Sequence, residues 1–187
     1  MAMEWKVEVW GPNYDTYESD PQTYPTLTAA VRAWEAKGYQ VDTVDTIYYQ
    51  PLFGEGKLTV VPRPESSLPL TIPVIEDLDG KILDVLDSSP GHWLDMGAWH
   101  SDSCETTHCR AGWAIVVAGE AGRVLEERCH DTGLAAALLY EAAYPKLPQP
   151  IPDFYDDNAS AMTNMKYRAQ RYLLHDPDYR CEPTTPA

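Results

Sequence analysis

The chain reads as an α+β fold: a small N-terminal β-α-β-β unit followed by a compact C-terminal helical domain. Three observations predict this. Period-two alternation is concentrated early, in Trp5-Lys6-Val7-Glu8-Val9 and in Lys57 to Val61. Helical spacing of apolar residues dominates the later part. Between them Pro62-Arg63-Pro64-Glu65-Ser66-Ser67-Leu68-Pro69 is a stiff polar connector. The expected division is therefore 1–65 for the α+β unit, 66–176 for the helical domain and 177–187 for a loose tail.

After the first strand, Gly11 to Pro25 has the prolines and tyrosines of a loop. Leu27, Ala30, Val31 and Trp34 then recur at helical spacing, with Thr26 or Thr28 as N-cap and Gly38 just past the end. Tyr39 to Gln50 is rich in β-branched and aromatic residues, and Pro51-Leu52-Phe53-Gly54-Glu55-Gly56 can turn it back into the Lys57 strand as a hairpin. Beyond the connector, Ile75, Leu78, Ile82, Val85 and Leu86 predict a helix from Pro73 to Ser88. Arg110 to Arg128 predicts the next, with Ala111, Ala114, Ile115, Ala118, Ala121 and Leu125 inward. Gly112, Gly119 and Gly122 each weaken such a helix by about 1 kcal/mol, which points to a close backbone approach. A third helix, capped by Thr132, places Leu134, Leu138, Leu139 and Ala142 inward. A fourth, capped by Asn158, places Met162, Met165, Ala169 and Leu173 inward.

Charge and composition exclude several functions. The 187 residues carry 29 acidic and 14 basic side chains, a formal net charge of −15. That opposes direct binding to nucleic acid or to an anionic membrane, and favours a cationic partner or none. The acid is spread over both segments, so no acidic tail stands out. The start of the chain lacks the apolar core of a signal peptide, and no run has the length of a spanning helix. The expectation is a protein of the cytoplasm, whose four cysteines are thiols, ligands or core residues.

The densest chemistry lies in Trp99-His100-Ser101-Asp102-Ser103-Cys104-Glu105-Thr106-Thr107-His108-Cys109-Arg110-Ala111-Gly112-Trp113, directly ahead of a helix. Cys104, Glu105 to Trp113 and the later Ala118-Gly119-Glu120-Ala121-Gly122 resemble a group of hypothetical bacteriophage, prophage and bacterial proteins. That group carries Trp-His, then Cys-x-Thr-x-His-Cys-x-Ala-Gly-Trp and a Gly- and Ala-rich helix. The likeness extends to Leu94-Asp95-Met96 and to Phe154-Tyr155-Asp156-Asp157-Asn158-Ala159, covering Ile72 to Gln170. It implies a phage or mobile-element context and no particular activity. One departure is the spacer Ser101-Asp102-Ser103, which is longer than in the group and separates His100 from Cys104.

Three chemistries compete with a structural role for this stretch. A zinc site would be built from Cys104, His108 and Cys109, with His100 as a further ligand. Cys129-His130 would lie roughly 28 Å away along an unbroken helix and could not join it. A Cys-dependent enzyme would use Cys109, Cys104, His108 or His100, with Asp102 or Asp95 orienting the base; a first-turn position would lower the Cys109 thiol pKa. A Cys104–Cys109 disulfide would close a short loop. In the structural reading, Thr106 or Thr107 caps the helix, Cys109 and Trp113 pack on one face, and His108 bonds a nearby carbonyl. Asp77-Leu78-Asp79-Gly80 and Asp153 to Asp157 lack the spacing of a calcium loop and read as caps or solvated acids. Lys166, Arg168, Arg171 and Arg180 read as basic complements to a helix C-terminus. The structural reading predominates, with no cofactor. It leads to an expectation of a non-enzymatic protein-interaction module acting on a host or phage protein. A Cys/His enzyme or zinc protein using residues 100–109 and a virion structural component are the alternatives.

Overall fold

Alternation in the first strand is carried into a real sheet. The computed structural model describes residues 4–11, 16–43, 55–62, 70–88, 90–97, 106–174 and 176–179. Strands β1 (Glu4–Trp10), β2 (Tyr17–Tyr24), β3 (Tyr39–Thr43) and β4 (Glu55–Pro62) form a mixed sheet in the order β2-β1-β4-β3. β1 and β4 run parallel with Val7 opposite Leu58, while β2 and β3 are antiparallel edges. The antiparallel pairing expected of a β3–β4 hairpin is present; its turn, Pro51 to Gly54, lies outside the described residues. Trp5, Val7, Leu58 and Val60 are buried, and helix α1 (Leu27–Ala36) contributes Leu27, Ala30, Val31 and Trp34 to the same core. Thr26 is the cap of α1, its side chain accepting from Ala29 N, and Gly38 follows with φ of 87°.

The unit is thus β-β-α-β-β, since part of the expected Gly11–Pro25 loop is strand β2. Its sequence, Tyr-Glu-Ser-Asp-Pro-Gln-Thr-Tyr, shows no alternation because only Tyr24 is buried. An edge strand also tolerates Pro21, whose missing N–H would break a central one. Asp20 Oδ2 accepts from Tyr24 Oη (2.8 Å) and Trp34 Nε1 (3.2 Å), which ties this edge to α1.

The remainder comprises α2 (Leu78–Ser88), short paired strands β5 (Trp93–Leu94) and β6 (Thr107–His108), then α3 (Arg110–Cys129), α4 (Thr132–Ala143) and α5 (Asn158–Leu173). No described helix is long and apolar enough to cross a membrane. α4 is buried almost all round, from Gly133 through Glu141, so it has no single inward stripe. It touches both α1 and α3, and the buried residues of sheet and helices form one contiguous cluster.

Several local expectations are corrected. α2 begins at Leu78 rather than Pro73, with Pro73 to Ile75 outside any helix. The caps of α4 and α5 are Asp131 and Asp157, each one residue before the expected position. Asp131 Oδ1 accepts from Leu134 N and Asp157 Oδ1 from Ala159 N and Ser160 N, while the Asn158 side-chain oxygen is taken up by Met96 N. Ala121 is exposed and Leu173 is 68% exposed, not inward. The first follows from a break in α3: Gly119 has φ 62° and ψ −141°, which resets the helical phase. At Gly122 a Cβ would lie 2.5 Å from the Ile115 carbonyl oxygen, so the close approach is to the preceding half of the same helix.

Candidate functional site

The motif stretch is built around the β5–β6 pair. Trp93 N donates to Thr106 O (2.9 Å) and Asp95 N to His108 O (3.1 Å). α3 then starts with Cys109 as N-cap in place of Thr106 or Thr107: its Sγ accepts from Gly112 N at 3.5 Å. Thr107 cannot do this because it and His108 are committed to β6. The Trp113 indole N–H reaches back to Trp93 O (3.0 Å), and the His108 ring stands edge-on to Trp113 at 4.7 Å. His108 and Cys109 are both buried.

Burial pushes the Cys109 thiol up, and the nearby Asp95 charge acts in the same sense, against the N–H groups of the helix start. The expectation of a lowered thiol pKa is therefore overturned: desolvation outweighs the helix end. Cys129 is likewise buried and pushed up to about 12 by desolvation and the Asp131 charge. His130 follows as an exposed left-handed cap. His100, Asp102 and Cys104 lie outside the described residues, as does Arg180, so the zinc set, the disulfide and the His100 base fall there in part. Among the described residues no group of at least three His, Cys, Asp or Glu side chains is placed to hold a metal ion.

Beside the corner lies a polar centre that the sequence did not announce. Arg110, fully buried, donates from Nε and Nη2 to Asp79 Oδ1 (3.1 and 2.7 Å), from Nε to Tyr140 Oη (2.9 Å) and from Nη1 to Asn164 Oδ1 (2.9 Å). Tyr140 Oη donates to the same Asp79 oxygen (2.8 Å) and Tyr144 Oη accepts from Asp79 N (3.0 Å). Arg168 completes it, with Nε 4.0 Å from Asp79 Oδ2 and its other nitrogens on the Pro150 and Gln149 carbonyls (2.6 and 3.3 Å). Arg168 is thus a core residue and not a surface complement to the helix end. Desolvation, and after it the Asp79 charge nearby, raise the pKa values of both tyrosines, which stay neutral donors and acceptors. The centre joins α2, α3, α4 and α5, and its buried side chains are Arg110, Asp79, Tyr140, Tyr144 and Arg168.

A cavity of about 420 Å³ does open on the other side of α4, where the sheet unit meets the helices. Trp5, Thr28, Arg32, Ile72, Glu141 and the loop from Pro145 to Ile151 line it. Glu141 spans the junction. Its Oε1 accepts from Leu27 N (2.8 Å), and its Oε2 from Thr28 N (2.7 Å) and Thr28 Oγ1 (2.8 Å). Burial nevertheless raises its pKa above the ordinary glutamate value. Arg32 Nη1 is already engaged with Glu35 Oε2 (2.9 Å) and Leu70 O.

The sequence signals for these polar groups were positional. Arg168 follows Ala161 and Met165 on the buried stripe of α5, and Glu141 interrupts an apolar helix. A charged residue at a core position asks for a partner. No family model matches this chain, and comparison with curated proteins and with solved structures finds no match either.

Proposed function

We propose that this protein is a non-enzymatic binding module, of phage or mobile-element type, that engages a cationic face of a host or phage protein. The observation carrying this reading is a contrast in exposure. The described thiols, Cys109 and Cys129, and the motif's His108 are buried, whereas large apolar side chains stand out on an acidic surface. Trp93 is 67% exposed and Tyr155 is 44% exposed. Met96 N donates to Asn158 Oδ1 (2.7 Å), so the segment bearing Trp93 and Asp95 lies against the start of α5, where Asp153, Asp156 and Asp157 flank Tyr155. Burial and its two aspartate neighbours raise the Asp156 pKa, with Arg110 opposing. Exposed aromatics ringed by one sign of charge suit a partner that supplies apolar pockets and lysine or arginine.

The experiment is affinity capture from bacterial lysates with the tagged full chain, beside a Trp93→Ala/Tyr155→Ala variant. A stoichiometric basic partner, released by salt and recovered at least several-fold less by the variant, is expected. Absence of any such partner across several hosts refutes the reading, as would unchanged recovery by the variant. Self-assembly in size-exclusion chromatography would favour a virion component instead.

A further inference from the structure

Glu141 is a buried carboxylate whose three hydrogen bonds all come from uncharged donors at the first turn of α1. The described ion pairs include none to it, and it forms part of the wall of the 420 Å³ cavity. A carboxylate offers about four lone-pair directions, so one remains after these bonds. The positive end of α1 offsets only about half a charge. The other ionised wall residue, Arg32, is paired with Glu35 one turn along the same helix. Glu35 also holds Leu70 N, so it is fixed in place as that partner. Glu35, outside the wall, thus takes up the charge of Arg32, and Glu141 is left without a counter-charge of its own among the described residues. The remaining wall is mainly apolar, with the Trp5 indole, Ile72, Leu147, Ile151 and prolines of the 145–150 loop, and its polar members are Thr26, Thr28 and Gln149.

The geometry points to a small-molecule site, independent of any protein-binding face, that takes a primary amine carrying an apolar, ring-sized body. The ammonium sits on the open lone pair of Glu141 Oε1, the oxygen that accepts only from Leu27 N, and the body lies against Trp5 and the proline loop. The volume falls within the range of roughly 300–1,000 Å³ typical of ligand pockets. An anionic ligand is disfavoured because the α1 N–H groups it would seek are occupied by Glu141 and the guanidinium by Glu35. A chain of net charge −15 adds a general attraction for cations, which the test must separate from the site.

Three probes sharing one indole body make that separation by titration calorimetry on the full chain: tryptamine (cation), tryptophol (neutral) and indole-3-acetate (anion). The expected result is one-to-one binding of tryptamine, at least about tenfold tighter than tryptophol, with indole-3-acetate weakest. Ala142→Phe, which fills the cavity beside Glu141 while leaving the carboxylate in place, is expected to abolish binding of all three. Glu141→Gln is expected to remove the preference for tryptamine over tryptophol. Should that variant fail to fold, the probe ranking and Ala142→Phe decide. Silence with all probes at millimolar concentration overturns the inference. So does equal affinity for tryptamine and tryptophol, or tryptamine binding that survives Ala142→Phe, which would mark diffuse charge attraction.

Discussion

The two polar centres flanking α4 differ in one respect that organises the molecule. At Asp79–Arg110–Arg168 every charge faces an opposite charge within a buried core. Arg110 and Tyr140 donate to Asp79 Oδ1, Asn164 accepts from Arg110, and Arg168 Nε stands 4.0 Å from Asp79 Oδ2, which accepts no hydrogen bond among the described residues. At Glu141 the charge is held by neutral donors alone and space remains beside it. Paired charge with no room is architecture, because a ligand could enter only by breaking the core. Unpaired charge with room can recognise something. The conspicuous motif belongs to the first kind in its described part: Cys109 caps, Trp113 packs and Arg110 anchors.

The sharpest way to break this contrast is to remove one charge from the buried centre. Arg110→Met leaves Asp79 buried without its main partner and should cost about 3–5 kcal/mol in urea unfolding at neutral pH. Arg110→Met with Asp79→Leu should recover part of that loss, because the stranded carboxylate is gone, while Arg168 keeps only the Pro150 and Gln149 carbonyls as acceptors. If the single variant costs under about 1 kcal/mol, the centre is not sealed and water is reaching it.

Gly119 lets one helix serve both regions. The first half of α3 carries Cys109 and Arg110, while its far end places Cys129 within the field of Glu35 in α1. Gly119→Ala finds open space around its methyl, so any penalty is backbone strain and not a clash. With φ at 62° and ψ at −141°, the expected cost is about 1–3 kcal/mol, read from the urea midpoint. A neutral or stabilising result would mean that α3 straightens freely, and that the alignment of its two halves does not couple the centres.

How legible this was in the sequence depends on which physical signal each feature leaves. Period-based signals worked: β1, α1 and the buried parts of α2 and α5 show their apolar spacing directly, as Val7, Ala30, Ile82 and Met165 illustrate. Strand β2 left none, being an exposed edge, and the phase of α3 failed beyond Gly119 because a broken helix has no continuous period. Cap positions slipped by one at Asp131 and Asp157, where two capping-competent residues adjoin. Among candidate site residues, proximity in sequence drew attention to Cys109 and His108. The Arg110–Asp79 pair spans 31 positions and Glu141–Thr28 spans 113, and no local pattern encodes such pairing.

The smallest effect tests the Glu141 side of the contrast by pH. Burial raises its folded-state pKa above the unfolded 4.5, so between those two values the native state binds the extra proton. Its contribution to stability is therefore fully present below pH 4.5 and is lost as pH rises through the folded value. Asp20 and Asp157 act in the opposite sense, since their folded pKa values are lowered, and they would mask the trend in the native chain alone. Subtracting a Glu141→Gln variant measured over the same pH series cancels them, because those aspartates are unchanged. The difference in unfolding free energy, native chain minus variant, should fall as pH rises from below 4.5 toward neutrality. A difference that instead grows with pH would mean that Glu141 has a cation partner in the folded protein. The cavity would then be charge-balanced, and its preference for an amine would lose its basis.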